Sequence, residues 1–381
     1  MSRHGIPIGR LFGISIDLDY SWFLIVGFLA WILAVSYYPA EFPGWTVGEY
    51  WTMGAVTAIM LFVSVLIHEL AHSLVAQHFG IPVPRITLFL FGGVSQIAAE
   101  SSDPATEFWI ALVGPITSFA LAAFCWEVEP FVAGSQPLFA LAEYLALINL
   151  ILAIFNLIPG APLDGGRVLR AILWRISQNE HKATIAAALS GRFFGFLLIF
   201  FGIWHIFSGD LFGGLWIAFI GWFLESAAGS ELHQETLKNL LGAHKVADAM
   251  QRNIAQVPGD VSLQGLAERT GLPSNGRSVI VTSPQGAVGV VTLSGIRSVA
   301  HEAWPSTMVA QAMTPLQAMS TIRPDAILWS ALERMGRNGL DQLPVADGNA
   351  IVGMLSREDI LHYLSVLKSF QGWKTVSGAT R

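Results

Sequence analysis

Two histidines and a glutamate sit in the middle of an apolar run. His68-Glu69-Leu70-Ala71-His72 lies inside the stretch 55–79. Helical spacing of i and i+4 puts both imidazoles on one face, a turn apart, where two ring nitrogens can grip one metal ion. Glu69 stands beside them, placed to take a proton from water at that ion. The bland reading of His-Glu-x-x-His is an accidental match on a surface helix. Lipid depth argues against it, because ionisable side chains are costly there and mark function by default.

Two histidines leave a catalytic zinc one protein ligand short of the usual three plus water. The best candidate is Asp164, in Asn156-Leu-Ile-Pro-Gly-Ala-Pro-Leu-Asp164-Gly165-Gly166-Arg167. Pro159 and Pro162 break the preceding apolar run at its cytosolic end, on the same side as His72. An Asp-Gly turn at a helix end is ordinary by itself; beside a membrane His-Glu-x-x-His it reads as a ligand. Asn156 reads as a group that steadies a substrate carbonyl or oxyanion, or else as an interhelical hydrogen-bond partner. Arg167 and Arg170 read as anchors at the inner membrane interface rather than as a substrate gate. His205 and Glu225 read as interfacial.

These residues need a scaffold of membrane helices. The chain has 381 residues, 53% hydrophobic and 13% charged, with mean hydropathy +0.55; a soluble protein carries about 25% charged residues. Six runs approach the roughly 20 apolar residues of a span: 20–38, 51–79, 108–126, 138–158, 183–207 and 211–228. Before residue 235 the only cations are Arg3, Arg10, Arg85, Arg167, Arg170, Arg175, Lys182 and Arg192. With a cytosolic N-terminus all of them fall in or beside cytosolic segments, so the positive-inside rule places both termini in the cytosol. The first apolar run begins late and is preceded by Asp17 and Asp19, which reads as an uncleaved span rather than a signal peptide. A net charge of −6 argues against a general nucleic-acid binder. Cys125, the single cysteine, excludes an intramolecular disulfide.

Between the second and third runs, Arg85-Ile-Thr-Leu-Phe-Leu-Phe91-Gly92-Gly93-Val-Ser-Gln-Ile97 is rich in β-formers and too short to span. It reads as a strand pair dipping to membrane depth, whose exposed edge could hold an extended substrate by strand addition, with Gly92 and Gly93 permitting close backbone approach. A purely structural hairpin is the alternative. The alternating stretch 9–18 could pair with it.

After about residue 230 charges and prolines appear, with an internal repeat. Val246-Ala-Asp-Ala-Met250 echoes Val309-Ala-Gln-Ala-Met313, and Val288-Gly-Val-Val-Thr292 echoes Val352-Gly-Met-Leu-Ser356. Each unit reads as strand, helix, two strands, helix.

The membrane half resembles the site-2 protease family of intramembrane zinc metalloproteases, through His68-Glu-Leu-Ala-His72, Phe91-Gly-Gly93, Val113-Gly114-Pro115 and Asn156 to Gly165. The resemblance implies hydrolysis of a peptide bond in or near a substrate's transmembrane segment, often in a regulator already trimmed by another protease. It implies one catalytic Zn2+ on His68, His72 and Asp164, with Glu69 as general base and acid. Six spans without a PDZ-like insert look most like the branch with a C-terminal regulatory domain. Residues 245–367 resemble a tandem pair of cystathionine-β-synthase (CBS) domains, which implies a homodimer and an ATP, ADP or AMP site between the repeats. Family-like contacts are kept by Ser356 and Asp359; the first repeat has Thr292 and Gly295, so one site is expected at most.

The expected fold is therefore a polytopic α-helical membrane protein of about six spans, with a small β insert near the active site, plus a cytosolic α/β tandem CBS domain. The expected organisation is 1–230 membrane metalloprotease, 231–244 linker, 245–367 CBS pair and 368–381 tail, in a bacterial or archaeal plasma membrane. A CBS-regulated channel or transporter, with His68, Glu69 and His72 lining an ion path, is the alternative. It lacks an evident inverted repeat.

Overall fold

The computed structural model describes residues 5–90, 92–96, 103–270, 278–284, 286–348 and 350–378. The chain forms two compact units, Ser2–Glu235 and Thr236–Arg381 with Met1. Phe91 and Ile97, both part of the insert read from sequence, lie outside the described residues.

Among the described residues, six helices are long and apolar enough to cross a membrane. Helix α1 (Tyr20–Ile32) continues through a π-helical turn, Leu33–Tyr37, to Glu41. It is followed by α2 (Val47–His78), α3 (Pro104–Val132) and α4 (Gln136–Asn156). After the short α5 (Asp164–Ser177) come α6 (Glu180–Phe207) and α7 (Leu211–Gly242). Local chemistry sets their starts. Thr46 and Glu49 form a reciprocal capping box ahead of α2, and Asp103 caps α3 by accepting from Ala105 N and Thr106 N.

The packing is inverted relative to a soluble bundle. Buried positions on these helices are small, such as Ala58, Ala76, Ala111, Ala153, Ala187 and Ala188, while Phe124, Phe131, Phe193 and Phe207 face outward. Small interfacial residues let helices approach closely where lipid supplies no hydrophobic drive between them. The α6–α7 contact is the clearest case. A Cβ at Gly202 would lie 2.4 Å from Ala218 N, and one at Gly221 2.6 Å from Ile199 N. Arg192 Nε also donates to Glu225 Oε1 at 2.8 Å, and His181 meets Glu235 at 2.7 Å. Glu225, read from sequence as an interfacial group, is thus the ion-pair partner of a neighbouring helix.

A four-stranded sheet, ordered β1-β2-β3-β4, covers the site end of α2. Its strands are β1 (Gly5–Leu11), β2 (Ile14–Asp19), β3 (Arg85–Phe89) and β4 (Gly92–Gln96). The insert forms the expected antiparallel pair β3–β4, and β2 joins β3 in parallel. The alternating stretch 9–18 is not one strand, however. Phe12 and Gly13 adopt φ of +51° and +81° and turn it into a β1–β2 hairpin. Ile14 and Ile86 bury one face of the sheet against Leu70, Ala76 and Ile110. Strand β4 is left at the edge.

The second unit contains the repeat. Helices α8 (Val246–Ala249) and α11 (Val309–Ala312) open its halves, and β6 (Val279–Ser283) with β7 (Gly286–Val291) corresponds to β9 (Gln342–Asp347) with β10 (Ala350–Ser356). Between them lie β5 (Gln256–Pro258), α9 (Leu263–Thr270), α10 (Leu293–Arg297), β8 (Thr314–Pro315) and α12 (Leu328–Asn338); α13 (Arg357–Gly378) follows. The halves interlock. Val246 packs with Leu328, Met335, Leu343 and Leu355, whereas Val309 packs with Val257, Leu266, Val281 and Val291. Each opening helix thus completes the core of the other repeat.

Candidate active site

Helix α2 delivers His68 and His72 from adjacent turns, and α5 delivers Asp164 from its first residue. Three atoms converge. His68 Nε2 and His72 Nε2 lie 3.1 Å apart, and Asp164 Oδ2 lies 3.1 Å from the first and 3.2 Å from the second. The histidines are 4% exposed and the Asp164 side chain 13%. Among the described residues this is the one group of three or more such side chains whose ligand atoms come close enough to share an ion.

The remaining contacts fix what those atoms carry. His72 Nδ1 lies 2.6 Å from the Ile110 carbonyl, which can only accept, so Nδ1 holds the proton. In a neutral ring Nε2 would present a lone pair to a carboxylate oxygen. His68 Nδ1 is engaged by Ser118 Oγ at 2.9 Å. Three electron-rich atoms at this spacing need a cation or a proton among them. A tetrahedral zinc with bonds of about 2.0–2.1 Å has ligand–ligand edges of about 3.3–3.4 Å, so the triangle fits one ion of that size. Partners on the far ring nitrogens are what metal-ligating histidines require. Gly114 faces the pair: a Cβ there would stand 2.1 Å from His72 Nε2 and 2.7 Å from His68 Nε2.

Glu69 lies outside the converging triangle. Ser95 Oγ, on edge strand β4, donates to Glu69 Oε2 at 2.7 Å, and Ser73 Oγ donates to the Glu69 carbonyl at 2.8 Å. Gly93 makes the approach possible, since a Cβ there would come within 2.5 Å of Glu69 Cγ. Gly92 adopts φ +126°, open to glycine and strained for other residues. Asn156 closes α4, and no side-chain hydrogen bond involves it among the described residues.

Arg167 and Arg170, read from sequence as interface anchors, share one buried carboxylate. Arg167 Nε and Arg170 Nη2 both donate to Glu107 Oε1, at 2.9 and 2.7 Å. Glu107, in the first turn of α3, is 1% exposed. Burial alone would lower the Arg167 pKa, but the Glu107 carboxylate, with Asp164 and Glu69 behind it, holds it above the ordinary value. Sequence reading missed Glu107, Ser95, Ser118 and the Ile110 carbonyl. The signal available for two of them was the spacing of Glu107, Gly114 and Ser118 along one helix face.

In the second unit, Ser356 and Asp359 form a reciprocal capping box at the start of α13: Ser356 N donates to Asp359 Oδ2 at 2.9 Å and Asp359 N to Ser356 Oγ at 3.1 Å. Gln251 Nε2 donates to Asp359 Oδ1 at 2.6 Å. In the first repeat Thr292 Oγ1 accepts from Gly295 N at 3.2 Å, and a glycine occupies the position that Asp359 has in the second.

Apolar spans carrying two histidines and a carboxylate around an ion-sized triangle, with a glutamate alongside, define a membrane-embedded metalloprotease. The comparisons narrow the class. The family model described as peptidase family M50 matches residues 56–134 and 131–201, and that of the CBS domain matches residues 309–366. Over 374 residues the chain is 37% identical to the protein named zinc metalloprotease Rip3 of Mycobacterium tuberculosis, covering 97% of this chain and 95% of that one. It is 35% identical over 365 residues to zinc metalloprotease sll0528 of Synechocystis, covering 95% and 96%. Among solved structures, the site-2 protease of Methanocaldococcus jannaschii is 28% identical and covers 60% of this chain and 95% of its own, with a TM-score of 0.42. The chain belongs to peptidase family M50, the zinc metalloproteases of site-2 protease type. It is a multi-pass membrane protein with a C-terminal CBS pair.

Proposed function

We propose that this enzyme hydrolyses peptide bonds in or near a transmembrane segment of a membrane-protein substrate, as a step of regulated intramembrane proteolysis. The carrying observation is the His68–His72–Asp164 triangle with Glu69 beside it. Those three side chains hold one zinc ion. When bound, the ion supplies Lewis-acid polarisation of the scissile carbonyl and lowers the pKa of water toward about 7. Glu69 removes a proton from the water whose oxygen bonds to the carbonyl carbon. It returns that proton to the departing amide nitrogen as the C–N bond breaks. Ser95 fixes one Glu69 oxygen and leaves the other for the proton.

A helical substrate hides its peptide bonds, so a segment must unwind to be cut. Strand β4, at the sheet edge among the described residues, offers it a backbone to pair with, and Gly92 and Gly93 lie beside the site; Asn156 steadies the carbonyl. The protein sits in the plasma membrane, and the distribution of arginine and lysine supports an orientation with both termini in the cytosol. The CBS pair binds one adenine nucleotide at Ser356 and Asp359 and joins two chains as a homodimer.

The test is cleavage of a reconstituted transmembrane peptide by Glu69→Gln. The substitution keeps the side-chain volume and the Ser95 contact but cannot take the proton. Zinc content and melting temperature should match the parent, with cleavage lower by about 10³-fold, inside the span of roughly 10²–10⁴ typical of general acid–base catalysis. Parent-level cleavage by a zinc-loaded Glu69→Gln enzyme sinks the mechanism.

A further inference from the structure

One stripe of α3 meets both histidines of the metal site. Ser118 engages His68, the Ile110 carbonyl engages His72, and Gly114 faces both rings. Glu107 completes the row: positions 107, 110, 114 and 118 follow the i, i+3, i+7, i+11 spacing of one helix face. Helix α3 therefore aims both imidazoles directly. Asp164 is held differently. It is the first residue of α5, a helix whose N-cap, Leu163, makes no side-chain capping bond. First turns without a cap are where helices fray. The ligand atoms meanwhile need their places to within about 0.2 Å.

We propose that Glu107 is a positioning residue for Asp164. One of its carboxylate oxygens receives both Arg167 and Arg170, gripping successive turns of α5 and registering that helix against the one that orients the histidines. The three side chains are 2%, 29% and 17% exposed, so the pairs are poorly screened and their geometry is restrictive. Glu107 is not one of the three converging ligands; it acts through the arginines. The proposal rests on the metalloprotease reading above.

The experiment uses the full chain in lipid nanodiscs. It measures zinc affinity by competition with a fluorescent chelator, melting of the metal-free protein, and peptide cleavage at saturating zinc. Glu107→Gln keeps an acceptor but removes the charge. Its zinc affinity should fall about 10- to 100-fold, the range for outer-shell partners of metal ligands. Metal-free melting should stay near the parent's. Saturating zinc should restore most of kcat with KM unchanged, whereas Asp164→Ala should not recover at any zinc concentration. Arg170→Lys keeps the charge and loses the planar fork, so its affinity should lie between those of parent and Glu107→Gln. Should Glu107→Gln fail to fold, Arg170→Lys and Arg167→Lys carry the test. Unchanged zinc affinity in the folded variants overturns the proposal, as does an affinity loss fully matched by lost stability of the metal-free protein. A parent chain that binds no zinc removes the metalloprotease reading instead.

Discussion

At position 114 a single methyl group separates a metal site from a buried polar cluster. An alanine there would place its Cβ 2.1 Å from His72 Nε2, in the space toward which the ligand atoms point. Alanine is the better helix former by about 1 kcal/mol, so the helix itself gains nothing from glycine at this place. Gly114→Ala should therefore leave helix content intact while zinc affinity falls at least 100-fold and cleavage falls with it. Zinc titration beside circular dichroism reads both; parent-level zinc binding would mean that the ion sits elsewhere. The case also shows how far the site is legible in the sequence. His68 and His72 declare themselves by helical spacing, and Asp164 by its depth and its flanking prolines. Gly114 is visible only as part of a motif, because its role is an absent atom and depends on what faces it. Glu107 shares a helix face with Gly114, but its pairing is hidden for a related reason: its partners lie 60 and 63 residues away on another helix.

The elements carry the site through a close backbone crossing. The loop that leads into α5 lies directly on α6. A Cβ on Gly191 would stand 1.9 Å from the Ala161 carbonyl oxygen, and Ala161 N donates to Ala187 O at 3.0 Å. Ser190 Oγ also bonds the Pro159 carbonyl. Three contacts thus pin the segment that hands Asp164 to the histidines. Gly191→Ala must push this loop away, at an overpacking cost of about 1–3 kcal/mol. It should lower the melting temperature and weaken zinc binding together. Gly229→Ala, on a helix position with open space around its Cβ, is the control and should change neither. Equal behaviour of the two variants would show that the loop does not set the ligand. Hydropathy and length make the spans readable in the amino-acid order alone. The β1–β2 turn is not, since alternation continues through Phe12-Gly13 and only the left-handed backbone there breaks it. Nor is the interlocking of the CBS repeats: an offset of 63 to 64 residues reveals two similar units, but not that Val246 and Val309 exchange cores.

At the scale of the whole molecule, the question is whether the CBS pair reports to the protease. The two repeats are unequal in the chemistry they offer. Asp359 gives the second a carboxylate, already oriented by Ser356 and Gln251, while Gly295 gives the first none. Calorimetric titration of the full chain with ATP, ADP and AMP should saturate at one nucleotide per chain. Asp359→Asn, which keeps an acceptor for Ser356 N, should weaken binding about tenfold or more, a loss of at least roughly 1.4 kcal/mol, against about 1.5–3 kcal/mol for a hydrogen bond to a charged group. Silence with all three nucleotides would leave the CBS pair as a dimerisation module. Control of substrate binding carries a stricter demand, because linkage is reciprocal. A nucleotide that shifts the affinity of a non-cleavable transmembrane peptide by a given factor must have its own affinity shifted by that peptide by the same factor, within the roughly 5- to 150-fold range usual for coupled sites. Equal factors establish thermodynamic coupling. A nucleotide effect on cleavage rate without any reciprocal change in binding places the control on kcat, where no such symmetry holds.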